Sequence, residues 1–274
     1  MVKNLGLMTP TIRSTETRTF NGDGCPVEWL LETRDFYEGI EREPKSFFVR
    51  GTYGHQYIAD RLAMIERDTA MQTMLEDLRL FISINPDPWI ETTKCTKEGL
   101  EDELVGIAYA WEAQQEEYYR EYTVDVVEYP LTFSTPNGSL VMTTIDALFR
   151  NEDGRPIIVD WKLGTSKSGK PMQLYVYWYG LKKAGLVSEA DFFRGWFHYV
   201  NYADPIQLVG DYPGDDMVEA YIDLAFQRRA NDVKLPNPEW FSCRYCYYKE
   251  ECPMYADDPH DAWEYVKSIQ VEVI

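Results

Sequence analysis

The chain has 274 residues, 45% hydrophobic and 15% aromatic, enough for a substantial core and too much for wholesale disorder. Its 27 basic and 46 acidic residues give a formal charge of −19, which argues against a general polyanion-binding surface and leaves room for a local basic groove. No apolar run approaches the ~18 residues of a membrane span, and the amino terminus lacks a signal-peptide core, so a soluble, cytoplasmic chain is expected.

Residues 1–24 read as an irregular lead-in that closes on the turn Asn21-Gly-Asp-Gly24. Cys25-Pro26 then opens a run whose apolar positions fall at helical spacing, with proline at the first helical position and Cys25 at the helix start. Next comes Phe47–Leu62, where Gly51 and Gly54 are expected at a helix start, allowing close backbone approach, with His55 on the first turn. His55 is one of three histidines, and a neutral imidazole beside carboxylates suits manganese. From Met64 to Tyr122 the pattern is helical, with breaks at Asn85–Pro88 and Lys94–Glu98; Cys95 sits in the second break as a structural thiol. Thr123–Phe133 reads as a strand carrying Glu128, which serves equally as a further acid for a metal centre or as part of a solvated strand face.

The most informative stretch runs from Val141 to Tyr179. Two β-rich runs, Val141–Phe149 and Pro156–Trp161, flank Asn-Glu-Asp-Gly and predict a hairpin. Asp146 lies in the first run and Asp160 near the end of the second, with Lys162 two residues on. Alternation puts Asp160 and Lys162 on one face and Trp161 on the other. Two carboxylates able to hold a hard divalent cation, beside an ammonium able to meet a phosphate, are what metal-assisted phosphodiester cleavage needs. Pro171 then opens a helix with Gln173 and Tyr177 on one face, placed to hydrogen-bond a nucleic-acid backbone or to position the catalytic strand. Phe192–Asn201 reads as a strand with His198 structural, and Val218–Ala230 as a helix ending in Arg228-Arg229. Lys162, Lys167, Lys170, Lys182, Lys183, Arg228, Arg229, Lys234 and Arg244 all fall in this half, so a basic groove has material to draw on.

The last cluster is Cys243-x-x-Cys246 followed by Cys252-Pro253. An odd total of five cysteines argues against a disulfide framework, and three thiols this close point to a metal. Cys25 is the candidate fourth ligand. Spacing leaves tetrahedral zinc and an iron–sulfur cluster both open.

Taken in order, Cys25-Pro26, Gly51-x-x-x-His55, Asp146 in Ile-Asp-Ala-Leu, Asp160-x-Lys162, Gln173-x-x-x-Tyr177 and the three carboxy-terminal cysteines resemble the iron–sulfur, RecB-like branch of the PD-(D/E)XK nucleases. The nearest likeness is to the CRISPR-associated Cas-four exonucleases and their stand-alone, phage-borne or repair relatives. The resemblance implies an α/β fold: a mixed central sheet flanked by helices, a helical amino-terminal region, and a cysteine-ligated cluster joining the two ends. It divides the chain into a helical region over 1–122, a nuclease core over 123–215 and a carboxy-terminal helix and cysteine segment over 216–274, one integrated domain overall. It implies a metal-dependent DNA exonuclease acting 5′-to-3′ on single strands. His55, Asp146, Asp160 and the Trp161 carbonyl would hold Mn²⁺ or Mg²⁺, with Lys162, Gln173 and Tyr177 completing the catalytic set. Cys25, Cys243, Cys246 and Cys252 would hold a 4Fe–4S cluster, zinc being the lesser alternative. The resemblance leaves room for a homo-oligomer and for an integrase or recombination partner. The rival readings are a catalytically silent docking protein of the same fold and a zinc-stapled structural protein.

Overall fold

The computed structural model describes residues 3–8, 11–13, 25–167, 169–230, 243 and 246–273. The turn at Asn21–Gly24 and the cations Lys234 and Arg244 lie outside them. The described elements, in chain order, are β1 (Lys3–Met8), β2 (Thr11–Arg13), α1 (Pro26–Glu38), α2 (Ser46–Leu62), α3 (Arg67–Ile84), α4 (Leu100–Tyr118), β3 (Tyr122–Ser134), β4 (Leu140–Asn151), β5 (Pro156–Lys162), α5 (Pro171–Lys183), β6 (Gly195–Tyr199), β7 (Ile206–Val209), α6 (Asp215–Ala230), α7 (Pro259–Ser268) and β8 (Ile269–Val273). No described helix is long and apolar enough to cross a membrane.

Two compact units emerge, one built from Met1–Arg42, Thr132–Thr143 and Pro213–Ile274, the other from Glu43–Leu131 and Thr144–Tyr212. The main sheet has the order β2-β4-β5-β6-β7, with β3 also paired to β4. It is mixed: β4–β5 and β6–β7 are antiparallel, β5–β6 and β2–β4 parallel.

In the second unit, β5 is the central strand. Its residues Pro156–Trp161 are buried without interruption, as expected of a strand covered on both faces. The core joins Ala147, Phe149, Ile157, Val159 and Trp161 of the sheet to Tyr57 and Ile58 of α2, Met74 and Leu78 of α3, and Leu104, Ile107 and Trp111 of α4. On α2 the buried residues Ser46, Val49, Arg50, Gly54, Tyr57 and Ile58 recur at three- and four-residue spacing, the stripe that docks a helix on a core.

In the first unit, β1 pairs in parallel with β8. Pro26 occupies the first turn of α1, and Gly39, at φ +64°, closes the helix in the left-handed conformation that glycine adopts without steric cost. Arg34, 2% exposed, bridges α1 to the carboxy-terminal segment: it donates to Asp35, to Glu251 and, at 2.7 Å, to the Tyr265 hydroxyl. Asp35 also accepts from Arg42 and from the Tyr248 hydroxyl, at 2.6 and 2.9 Å.

Three expectations need correction. The amino-terminal lead-in is not wholly irregular, since it supplies β1 and β2. Their partners lie at Ile269–Val273 and Leu140–Met142, too far along the chain for local pattern to reveal. The helix carrying His55 starts at Ser46, so Gly51, Gly54 and His55 sit mid-helix and not on its first turn. Tertiary packing overrides the glycine penalty here. The strand expected over Phe192–Asn201 is limited to Gly195–Tyr199.

Candidate metal centre

The site forms where the β4–β5 hairpin opens beside α2 and α5. The hairpin ladder ends at the pair Ala147 and Val159, so Asp146 and Asp160 occupy the next positions along it. Both carboxylates are buried, at 8% and 2% exposure. Each is held by donors from a neighbouring segment. The Trp161 N–H donates to Asp146 Oδ2 at 2.8 Å, and the Gln173 amide donates to Asp160 Oδ1 at 2.8 Å. Lys162 Nζ lies 2.6 Å from Asp160 Oδ2 and donates to Gln173 Oε1 at 3.2 Å, over the Phe197 ring. Gln173 also meets the Tyr177 hydroxyl at 2.8 Å, as one helical turn requires. Gln173 thus bonds both members of the acid–lysine pair, with the buried Tyr177 behind it.

His55 reaches the same place from α2. Its Nε2 lies 3.1 Å from the Trp161 carbonyl oxygen, and its Nδ1 lies 3.2 Å from Glu128 Oε1 and 3.6 Å from Asp146 Oδ2. Gly54 permits this approach: a Cβ there would stand 2.3 Å from Leu163 Cδ1. His55, Glu128 and Asp146 bring ligand atoms within 4.8 Å of one another. Two histidine–carboxylate contacts, a backbone carbonyl and a second buried aspartate make a hard, oxygen-rich donor set suited to Mg²⁺ or Mn²⁺. Asp160 Oδ2 is buried, and the group nearest it is the Lys162 ammonium.

The PD-(D/E)XK nuclease superfamily model matches residues 16–253. The chain belongs to that superfamily. Among solved structures it is similar to a candidate exonuclease from Eubacterium rectale, at 16% identity and a TM-score of 0.47, over 83% of this chain and 84% of that one. It is also similar to the protein SSO0001, at 13% identity and a TM-score of 0.34, over 57% of this chain and 73% of that one. No curated protein matches it by sequence.

In this PD-(D/E)XK chain the electrostatics follow from burial and crowding. Burial disfavours the His55 imidazolium, but Asp146 and Glu128 outweigh it and raise the ring to about 9. Burial pushes Asp146 up to about 7, helped by the nearby Asp160 and Glu128 and opposed by His55. Behind the site, Trp161 Nε1 donates to the Tyr119 hydroxyl at 3.3 Å, and that hydroxyl lies 2.5 Å from His198 Nδ1. His198 Nε2 meets Gln114 Oε1 at 2.7 Å, and Gln114 in turn donates to the Val200 carbonyl at 3.1 Å. This chain of bonds fixes His198 as the Nε2–H tautomer, and burial lowers its pKa to about 4. His198 is structural, as its place in an apolar strand suggested. The bracing by Tyr119 and Gln114 had no signal in the sequence, because residues so far apart are joined only by the fold.

The cysteines lie in the first unit. Cys25 is the N-cap of α1, and Cys252 is buried. Burial raises the Cys252 thiol, with Cys25 and Cys243 near enough to raise it further. The Tyr248 N–H donates to Cys246 Sγ at 3.4 Å, and Cys243 lies near enough to the Tyr255 phenol to raise it. Cys95 stands apart, 1% exposed in the helical core of the second unit.

Proposed function

We propose that this chain is a metal-dependent DNA exonuclease acting 5′-to-3′ on single strands. The observation that carries the hydrolytic part is the pairing of two buried aspartates with one lysine at the open end of a hairpin, with His55 and the Trp161 carbonyl beside them. His55, Asp146, Asp160 and that carbonyl would hold Mn²⁺ or Mg²⁺. Such an ion, when bound, supplies a Lewis acid and a water of lowered pKa. The chain's own part is positioning. Gln173 pins Asp160 Oδ1 and, through Oε1, the Lys162 ammonium, so lysine and acid keep one geometry. Lys162 then stabilises the charge that develops on the phosphate oxygens as water attacks and the 3′ oxygen leaves. The product retains a 5′ phosphate. The choice of DNA, of exonuclease action and of polarity rests on the resemblance of the ordered motifs to the Cas-four exonucleases. Host, CRISPR, phage and repair settings share this chemistry.

Cys25, Cys243, Cys246 and Cys252 supply the four thiols that a 4Fe–4S cluster takes. Such a cluster would tie α1 to the carboxy-terminal segment.

The deciding experiment is degradation of single-stranded DNA, labelled at each end in turn, by anaerobically purified protein with Mn²⁺, beside Asp160→Ala and Lys162→Ala. Metal-dependent release of label from the 5′ end, lost in both variants, is expected. Intact DNA with protein holding its cluster would leave the docking reading in its place. A colourless anaerobic preparation with bound zinc would remove the cluster.

A further inference from the structure

Glu128 sits inside β3 with φ +43°, a left-handed conformation that costs energy for any residue bearing a Cβ. Strain of this kind persists where surrounding contacts impose it, and it collects at functional sites. Here the distorted strand delivers a carboxylate to His55, with Oε1 3.2 Å from Nδ1. The other ring nitrogen faces the Trp161 carbonyl at 3.1 Å. Carboxylates and carbonyls accept hydrogen bonds and donate none, so both ring nitrogens point at acceptors. The acceptors are unequal. Nδ1 faces two carboxylates, Glu128 and, at 3.6 Å, Asp146, whereas Nε2 faces a neutral carbonyl. A charged acceptor makes the stronger hydrogen bond.

We propose that Glu128 is a positioning residue of the metal centre: it keeps the proton on Nδ1 of His55 and so makes Nε2 the metal-binding atom, beside the Trp161 carbonyl. The inference rests on the reading of this site as a divalent-cation centre and deepens it. Metal-ligating histidines are commonly oriented by a carboxylate on the far nitrogen, and here a strained backbone supplies it.

The test uses full-length protein loaded with Mn²⁺, with histidine labelled by ¹⁵N at Nδ1 in one sample and at Nε2 in another. Pulsed EPR should detect a directly bonded nitrogen only with the Nε2 label, and His55→Ala should abolish the signal. In Mn²⁺ titrations, Glu128→Ala should weaken binding by ~10- to 100-fold. Glu128→Gln should stay within about threefold of wild type, because its amide oxygen still accepts from Nδ1–H. Both replacements retain a Cβ and hence the backbone strain, so their comparison isolates the acceptor. Direct bonding through Nδ1, or equal losses in the Ala and Gln variants, would overturn the proposal while leaving a metal site. Wild-type protein without Mn²⁺ coupled to either nitrogen would overturn the metal site and this role together.

Discussion

Gly51 and Gly54 lie three residues apart in α2, yet replacing each by alanine should have opposite consequences. Alanine is favoured over glycine in a helix interior by about 1 kcal/mol. At Gly51 a new Cβ meets no heavy atom within 4 Å, so Gly51→Ala should realise most of that gain. At Gly54 the Cβ would lie 2.3 Å from Leu163 Cδ1, with Leu163 Cγ and Ile107 Cγ2 at 3.6 and 3.7 Å. Leu163 is 4% exposed, so its methyl must turn into packed surroundings, at a cost of about 1–3 kcal/mol. The net for Gly54→Ala is a loss of about 0–2 kcal/mol, and the two variants should differ by about 1–3 kcal/mol in denaturant-unfolding experiments. Gly54 and Leu163 adjoin His55 and Lys162 in the chain, so Mn²⁺ affinity and DNA cleavage should drop with Gly54→Ala and hold with Gly51→Ala. Combining Gly54→Ala with Leu163→Ala should be less damaging than the sum of the two by at least about 1 kcal/mol. Equal shifts in the two glycine variants, or strict additivity in the double variant, would refute the close-approach argument.

Further expectations follow from buried groups. His198 is held near 4 when folded, whereas an unperturbed histidine titrates near 6.5. The unfolded chain therefore binds the extra proton first, and this residue's contribution is complete above about 6.5 and lost as pH falls toward 4. The loss should be about 2 kcal/mol at pH 5, read as a pH-dependent unfolding midpoint that flattens in His198→Gln. At the metal centre, the raised His55 and Asp146 hold protons that a cation must displace. Mn²⁺ affinity should accordingly rise from pH 6 toward 9, with proton release measurable by titration calorimetry in two buffers of different ionisation enthalpy. Arg34→Met strips Glu251 of a buried partner and Asp35 of one of two cations, and should cost about 2–4 kcal/mol in thermal or denaturant unfolding. Glu128→Gly should dissociate stability from binding. It relieves about 1–2 kcal/mol of left-handed strain against about 0.5–1 kcal/mol of glycine entropy, so unfolding should show no loss while Mn²⁺ affinity falls.

The hairpin, its two aspartates, Lys162 and the Gln173–Tyr177 face were legible because each lies within a short stretch whose periodicity fixes where side chains point. Asp160 and Lys162 had to share a face once Pro156–Lys162 was a strand, and the 2.6 Å contact between them follows. Glu128 was legible only as one of two alternatives, since alternation along β3 cannot reveal a residue at φ +43°. The terminal strands β1 and β8 were missed for a related reason. Each is short and finds its partner only when the two ends of the chain meet.

The candidate metal centre bears on how a strongly acidic chain could meet a phosphate-bearing substrate. Three carboxylates, from Glu128, Asp146 and Asp160, converge at one strand end, and among the described residues His55 and Lys162 are cationic groups in direct contact with them. Without metal, the imidazolium offsets the acids, which is why its pKa rises despite burial. The imidazolium and Lys162 leave the three carboxylates one negative charge in excess; a bound divalent ion in place of the imidazolium charge would offset them in full. Lys162 is held by Gln173 in addition to Asp160. Gln173→Leu should therefore loosen the lysine and impair catalysis more than metal binding: kcat should fall by ~10- to 100-fold with Mn²⁺ affinity changed far less. A parallel loss of both would mean that Gln173 serves the cation through Asp160, and that Lys162 needs no brace.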